Sequence, residues 1–195
     1  MTGVSNAVIG ELVWVAEQVS ATAPLAGSQL HGEQHWQAVA RIGARLAAET
    51  PGPDLRAVLL FALLHDARRE NEHHDPLHGP RAADLLDHFV AESRVVLAAR
   101  VRDQLRDAIA RHDAGAVSDD PLIGLCWDAD RLCLPRVGIE PDPELLSTPA
   151  GRELRGWVSG VLAEPLVGWA ALLTSLGAAA DADSRGKAAL EGGYA

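Results

Sequence analysis

The sequence predicts an all-α fold, a single-domain helical bundle, from its composition, its apolar spacing and its length. Hydrophobic residues make up 48% of the 195-residue chain but aromatic residues only 4%, and the abundance of Ala and Leu favours helices over a β-sandwich. Apolar residues recur at intervals of three and four, as at Val8, Leu12, Val15 and Val19, which is typical of an amphipathic helix. A chain of this length can bury a substantial core in one domain.

Capping residues and helix breakers divide the chain into its elements. Pro51-Gly52-Pro53 ends the second helix, Asp54 caps the third, and Asp119-Asp120-Pro121 starts the sixth. The predicted helices cover residues 5–22, 35–48, 55–65, 77–90, 93–112 and 121–134, with a last helical region at 152–176. They make up the predicted domain at 1–177, and the Ala-, Gly- and Asp-rich residues 178–195 are expected to be a flexible tail.

Charge and cysteine usage restrict the classes of partner. The net charge of −10 argues against binding a nucleic-acid polymer, because such a surface needs clustered Lys and Arg. No apolar run reaches the length of a membrane span, and the N-terminus lacks the basic region of a signal peptide. Cys126 and Cys133 lie about 10 Å apart along one predicted helix, too far for a disulfide, so reduced thiols and a cytoplasmic location are expected. The oligomeric state stays open.

The pair His65-Asp66 follows an apolar run at the end of a predicted buried helix. An imidazole and a carboxylate at such a place are costly to desolvate unless they are paired or bind a metal ion. His35, His112 and Asp130 likewise lie on or beside apolar helical faces. Several such residues on separate helices favour a shared ion, as in helical bundles whose metal ligands converge on the core.

Ordinary structural roles are the alternative for each of these residues. A single histidine is more often a surface or hydrogen-bonded residue than a ligand. For Asp130 the alternative is an internal salt bridge with Arg131 or Arg41. The histidines that lie in polar surroundings keep the ordinary interpretation, and they are His73, His74 and His88.

In their order and spacing these residues resemble the HD superfamily of metal-dependent phosphohydrolases. The segments that carry the resemblance are His35-Trp36-Gln37-Ala38-Val39, Leu63-Leu64-His65-Asp66, Asp75-Pro76-Leu77-His78-Gly79, Ala110-Arg111-His112-Asp113 and Asp128-Ala129-Asp130-Arg131-Leu132. The similarity covers residues 31–140, and a slightly wider stretch is similar to a small group of uncharacterised bacterial HD proteins. It implies a helical bundle of the HD type.

The resemblance also implies a centre with one or two divalent metal ions. The implied ligands are His35, His65, Asp66 and Asp130 for one ion, with His78 and His112 for a second ion or for substrate. The ion would be Mn, Fe, Co, Ni, Zn or Mg, since ligand type alone does not select among them. The implied reaction is hydrolysis of a small phosphorylated substrate, a nucleotide among the candidates, by attack of metal-activated water at phosphorus.

Catalytic and substrate-binding roles follow from the same resemblance. Asp66 is the implied catalytic carboxylate, Arg68 and Arg69 are expected to contact the phosphate, and His31 is expected to contact substrate or to support a ligand. Asp128 is expected to orient a ligand or pair with an arginine. The alternative for the two arginines is that they are solvated loop charges paired with nearby acids, which are Glu70 and Glu72.

One departure from the superfamily pattern limits the predicted chemistry. Arg69 stands where the nucleotidase and alarmone-hydrolase branches carry a catalytic Glu, so that role is not transferred. A basic residue there is closer to the cyclic-dinucleotide phosphodiesterase branch, whose Gly-Tyr-Pro motif does not follow Asp113. The alternative functions are an HD-type mixed-valence di-iron oxygenase and a non-catalytic module that binds a metal or a nucleotide.

Overall fold

The described part of the chain, residues 5–191 of a computed structural model (backbone alone at 181 and 183–191), forms helices joined by turns and contains no strand. This confirms the predicted all-α fold in a single compact domain. The α-helices are α1 (Asn6–Thr22), α2 (Glu33–Glu49), α3 (Leu55–Leu64), α4 (His78–Ala91), α5 (Ala99–Arg111), α6 (Pro121–Arg131), α7 (Pro149–Glu153), α8 (Val158–Leu162) and α9 (Trp169–Glu191). Short 3-10 turns lie at Leu134–Val137, Pro143–Leu145 and Leu154–Trp157.

Helix α3 is the centre of the bundle. Apart from Arg56, all of its residues are buried, as expected for a helix that is apolar all round. Asp54 caps its first turn by accepting a hydrogen bond from the backbone N–H of Arg56 at 3.0 Å. Helices α1, α2, α4, α5 and α6 all pack against it. The residues that follow α3 therefore emerge inside the protein rather than at its surface.

Helices α2 and α3 approach each other closely at Gly43. A Cβ atom added at Gly43 would lie 2.6 Å from the Cγ1 atom of Val58, so a side chain there would push the two helices apart. Helix α2 also packs on α6. This packing brings the first turn of α2, which carries His35, to the same end of the bundle as the last residues of α3.

The predicted ligand positions all fall at or near helix ends. His65 and Asp66 directly follow α3, His78 is the first residue of α4, and His112 directly follows α5. Asp130 lies in the last turn of α6, which Asp120 caps at the opposite end by accepting from two backbone N–H groups. Because these ends meet, the bundle offers several ligands from separate elements to one buried volume.

The structure differs from the predicted elements in three places. Helix α5 begins at Ala99 rather than at residue 93, since the chain first turns back through Ser93, whose φ is 56°. The predicted region 152–176 is divided among α7, a 3-10 turn, α8 and the start of α9. Helix α9 continues to Glu191, beyond the predicted end of the last helical region at 176; the flexibility predicted for 178–195 stays a prediction, and 192–195 lie outside the described residues.

The state of the two cysteines and the character of the helices were both predicted from the sequence. Cys126 and Cys133 are both buried and free, as predicted for reduced thiols, and burial raises the pKa of each thiol. A search of residues 5–191 for a helix with the length and apolar character needed to cross a bilayer finds none.

Candidate metal centre

Asp66 lies between two groups of histidines, with one carboxylate oxygen facing each group. Its Oδ2 atom is 3.7 Å from the Nε2 atom of His35 and 3.7 Å from that of His65. Its Oδ1 atom is 3.3 Å from the Nε2 atom of His78 and 3.7 Å from that of His112. All five side chains are buried. Two sets of side chains are thus close enough to hold a metal ion, and they share Asp66.

The His35 side of the centre, defined by His35, His65, Asp66 and Asp130, contains a second carboxylate. The Nε2 atoms of His35 and His65 are 3.0 Å apart. Asp130 Oδ1 lies 3.2 Å from His35 Nε2 and 3.8 Å from His65 Nε2. Asp130 is about 20% exposed, whereas Asp66 is only 4% exposed. The predicted first ligand set therefore converges, and one of its carboxylates borders solvent.

The His78 side, defined by His78, His112 and Asp66, brings its two rings equally close. The Nε2 atoms of His78 and His112 are 2.9 Å apart. The Oδ1 atom of Asp66 faces both rings but has no hydrogen-bond partner of normal geometry among the described residues. A buried carboxylate oxygen without a donor is costly, and a bound cation would satisfy it.

Backbone carbonyls fix the orientation of three of these four rings. In each of the three the Nδ1 atom donates to a carbonyl three or four residues earlier, which leaves the Nε2 atom of the neutral ring as an electron-pair donor. The bonds are His65 Nδ1 to Phe61 O and to Ala62 O, both 3.2 Å, His78 Nδ1 to Asp75 O, 2.5 Å, and His112 Nδ1 to Ile109 O, 2.8 Å. The Nδ1 atom of His35 is buried and has no such partner.

This arrangement fits a divalent cation. Two imidazole nitrogens bound at right angles to one ion at about 2.1 Å would lie about 3.0 Å apart, which matches the separations of 3.0 Å and 2.9 Å between the paired Nε2 atoms. At His78 and His112, where both Nδ1 atoms donate to carbonyls, the electron pairs on the two Nε2 atoms repel at this distance unless a positive charge lies between them. Imidazoles combined with carboxylates suit several first-row metals, so the ligand set does not identify the ion.

The two sides differ in their acid–base behaviour. Burial lowers the pKa of His35, and it lowers the pKa of His65 to about 3. Burial also acts to lower the pKa of His112, but the interaction with Asp66, whose Oδ1 atom lies 3.7 Å from His112 Nε2, and the charge of Asp130 outweigh it and raise that pKa to about 9. In the metal-free protein at neutral pH, His112 therefore carries a second ring proton, and this proton lies between the Nε2 atoms of His78 and His112.

The carboxylates are held in their charged form by the same rings. Burial acts to raise the pKa of Asp130, yet the hydrogen bond with His35 and the charge of His65 lower it. For Asp66 the burial penalty is likewise outweighed, by the interactions with His65, His112 and His31, so its pKa lies well below the ordinary value. Both acids are ready to act as anionic ligands at neutral pH.

His31, predicted to contact substrate or support a ligand, lies directly against Asp66. Its Nδ1 atom is 3.1 Å from Asp66 Oδ2, and because that carboxylate is ionised the ring donates the hydrogen bond. Its Nε2 atom is 3.8 Å from Glu72 Oε2, a side chain about 39% exposed. The chain Glu72–His31–Asp66 connects the centre to the surface. Glu72 has no predicted role from sequence other than pairing with the loop arginines.

The structure separates the two arginines that the sequence treats together. Arg69 lies over the His78 side, with Nη1 3.2 Å from His78 Nε2 and 3.7 Å from Asp66 Oδ1. Its Nη2 atom donates to the carbonyl of His73 at 2.6 Å, which holds the guanidinium there. Arg68 instead donates to Thr22 at the end of α1, at 3.3 and 3.4 Å. In this arrangement Arg69, but not Arg68, adjoins the histidine cluster.

Asp128 takes a structural position next to the centre. It accepts hydrogen bonds from the N–H groups of Ser147 and Thr148 and from the Thr148 hydroxyl, each at 2.7 Å. These bonds fasten the turn before α7 to α6 and so support the helix that carries Asp130. Asp128 therefore anchors its own helix, and its predicted role of orienting a ligand or pairing with an arginine stays a prediction.

Sequence reasoning missed Arg136, which lies beside the His35 side. Its guanidinium donates to the carbonyl of Leu30 through Nε at 3.2 Å and Nη2 at 3.0 Å, and to the carbonyl of Cys133 through Nη1 at 2.9 Å. The contact with Leu30 spans 106 positions of sequence. The only local signal is that Arg136 follows Asp130 by six residues, which does not predict its direction.

Comparison with known proteins adds no assignment. No protein-family model matches the chain, and neither a curated protein nor a solved structure is significantly similar to it.

Proposed function

We propose that this protein is an HD-type metal-dependent phosphohydrolase acting on a small phosphate ester. The observation that carries the proposal is the bridging position of Asp66 between two pairs of imidazoles whose Nε2 atoms face each other at 3.0 Å and 2.9 Å. A structural ion needs one closed set of ligands. A bridging carboxylate with ligands on both sides, one of them partly open to solvent, is better suited to chemistry on a bound substrate.

The His35 side is the proposed resident metal site. His35, His65, Asp66 and Asp130 would hold the ion, and their protonation states already suit that role at neutral pH. A divalent ion at such a site lowers the pKa of bound water to about 7 and polarises a phosphoryl oxygen. Asp130 borders solvent, so substrate can approach this side without unfolding of the bundle.

The residues around the ion have separate proposed roles. Asp66 is the central ligand and orients the reacting groups through both oxygens, while His31 donates to it and fixes its position. Arg69 carries a positive charge on the far side of Asp66, where it can stabilise negative charge that develops on phosphoryl oxygens. His78 and His112 would hold a second ion or contact the phosphate. The geometry does not support a phosphate contact by Arg68 in its present position.

Replacement of Asp66 tests the proposal. The Asp66→Ala variant is expected to lose bound metal, measured by elemental analysis of protein purified without chelator, and to hydrolyse a panel of phosphorylated metabolites only at the background rate. Asp107→Asn is the matched control, since Asp107 is a surface carboxylate paired with Arg111. Undiminished hydrolysis by Asp66→Ala would refute the assignment.

The choice of ion and atmosphere separates the proposed reaction from its main alternative. Hydrolysis should proceed without oxygen in protein loaded with Mn²⁺ or Co²⁺. Iron-dependent consumption of O₂, with no hydrolysis under anaerobic conditions, would instead indicate the di-iron oxygenase. Strong stabilisation by a ligand without any turnover would indicate a binding module.

A further inference from the structure

A cavity of about 450 Å³ opens onto the His35 side of the centre. Its volume is in the range of small-molecule sites. His35 forms part of its wall although its side chain is only 1% exposed, so the cavity borders one of the proposed metal ligands. The other lining residues come from the loop before α2, from α2 itself, from the 3-10 turn after α6 and from α8, and they are Gln29, Leu30, Gln34, Ala38, Arg136 and Leu162.

Arg136 provides the positive charge of this cavity. Three of its five N–H groups donate to the backbone carbonyls of Leu30 and Cys133, which leaves two for a ligand. Its bonded partners are neutral backbone carbonyls, and Arg136 forms no ion pair with any of the side chains that the structure describes. A guanidinium that is held in place but not neutralised is a favourable binding group for phosphate.

The rest of the cavity wall suits the body of a small ester. Leu30, Ala38 and Leu162 supply apolar surface, and the exposed amides of Gln29 and Gln34 supply donors and acceptors. The same two glutamines line a neighbouring cavity of about 320 Å³. The part of a substrate beyond its phosphate group could therefore extend along Gln29 and Gln34, away from the metal ligands.

From this cavity we infer that Arg136 is the anion-binding residue of the substrate site and that it holds the phosphate of the proposed ester beside His35. The inference rests on the proposed function for the reaction, but the binding it describes can be measured without turnover. It also assigns a direction to the site: substrate enters on the His35 side, between the loop before α2 and the turn after α6.

Titration with inorganic phosphate tests the inference. Calorimetry on the full-length, Mn²⁺-loaded protein should detect phosphate binding that Arg136→Ala weakens about tenfold or more, the loss expected for a charge-assisted hydrogen bond. Arg136→Lys should retain an intermediate affinity because it keeps the charge but not the planar fork. The matched control is Arg155→Ala, since Arg155 also donates to a backbone carbonyl, that of Pro141, but lies outside the cavity. Its affinity should stay within about twofold of wild type.

Elemental analysis of every sample separates the possible outcomes. Equal phosphate affinity in wild type and Arg136→Ala, or no phosphate binding by metal-loaded wild type, would overturn the inference. Loss of Mn²⁺ in both Arg136 variants would also overturn it, because Arg136 would then support the metal ligands rather than an anion. Failure of the proposed function would look different: wild type would bind phosphate through Arg136 yet hydrolyse no ester.

Discussion

The two sides of Asp66 use the same ligand types but differ in charge. On the His35 side two imidazoles with lowered pKa values face two carboxylates. On the His78 side two imidazoles share one carboxylate oxygen with the guanidinium of Arg69. The second carboxylate on the first side and the guanidinium on the second both favour a cation on the first. The charges around a pair of imidazoles therefore affect its affinity for a cation as well as the imidazoles do.

Ring orientation explains why the pKa values diverge. His78 and His112 both donate through Nδ1 to a carbonyl, so both neutral rings would direct an electron pair at the other. A proton on His112 removes that repulsion, in agreement with its raised pKa. The Nδ1 atom of His35 is not committed in this way. His35 can therefore carry its proton on Nε2 and donate toward Asp130 or His65 without becoming charged.

Replacing one histidine on each side of Asp66 should give the largest difference in bound metal between two variants. His65→Ala is expected to lose the resident ion, with affinity reduced more than about a hundredfold because a direct ligand is worth at least as much as its outer-shell partners. His112→Ala should keep that ion. Metal content after desalting measures both, and His88→Ala is the control, since His88 is a surface residue about 60% exposed. Equal metal loss in the two variants would contradict the asymmetry.

The stability of the metal-free protein should peak near pH 6.5 for reasons that differ between the sides. The folded pKa of His112, about 9, exceeds its ordinary value of 6.5, so its contribution is complete below pH 6.5 and is lost as pH rises through 9. The folded pKa of His65, about 3, lies below 6.5, so stability falls as pH drops below 6.5. These pKa differences correspond to roughly 3 kcal/mol for the alkaline limb and roughly 5 kcal/mol for the acid limb.

Thermal melts of chelator-treated protein across pH measure the two limbs separately. His112→Gln should flatten the alkaline limb and leave the acid limb, while His65→Gln should do the reverse. A profile whose alkaline limb survives in His112→Gln would show that another group holds the proton.

Arg69 should set the affinity of the His78 side for a second ion. Its guanidinium lies 3.2 Å from His78 Nε2, where it repels an incoming cation. Arg69→Ala is expected to tighten binding of a second equivalent of Mn²⁺ about tenfold, and to reduce hydrolysis if the guanidinium stabilises the phosphoryl group. Arg68→Ala, a change at the adjacent arginine that bonds to Thr22, should alter neither. Unchanged metal stoichiometry in Arg69→Ala would show that the guanidinium does not compete.

Proton release should distinguish the sides even in the unmodified protein. Binding of the first ion at pH 7 should release almost no protons, because His35 and His65 are already neutral. Binding of a second ion should release about one proton, that of His112. Calorimetric titrations in buffers of different ionisation enthalpy count these protons. Equal release at both steps would contradict the assignment of the proton to His112.

Strong local signals explain how much of the structure was predictable. Asp54, Asp120 and Pro121 fix the starts of α3 and α6, and the apolar run before His65 correctly predicts a buried helix. Five of the six predicted ligands lie on or beside apolar faces, where a polar residue has few places to go inside a bundle, whereas His78 was predicted only from the family resemblance. These features depend on neighbours within a few positions of sequence, which is why they could be read without a structure.

The features that sequence did not predict depend on contacts between distant residues. The turn at Ser93 is made by Arg94 and Val95 donating to Phe89 O, with no Gly or Pro to signal it. Arg68 and Arg69 are adjacent, yet after the turn that follows α3 Arg68 contacts Thr22 at the end of α1 and Arg69 contacts His78. Arg136 reaches Leu30 only because α6 packs on α2. Pattern and spacing carry no information about such directions.

The carbonyl bonds that orient His78 and His112 make a proton and a metal ion compete for the space between the two rings. Each ring is held by the turn immediately before it, so neither can rotate its electron pair away without losing a bond. Below about pH 9 a positive charge in the space between them is favoured, whether a proton or a metal ion, and the arrival of a metal ion displaces the proton. Uptake of a second ion would thus be coupled to local acidity, and the free energy of that exchange would add directly to the stability of the fold.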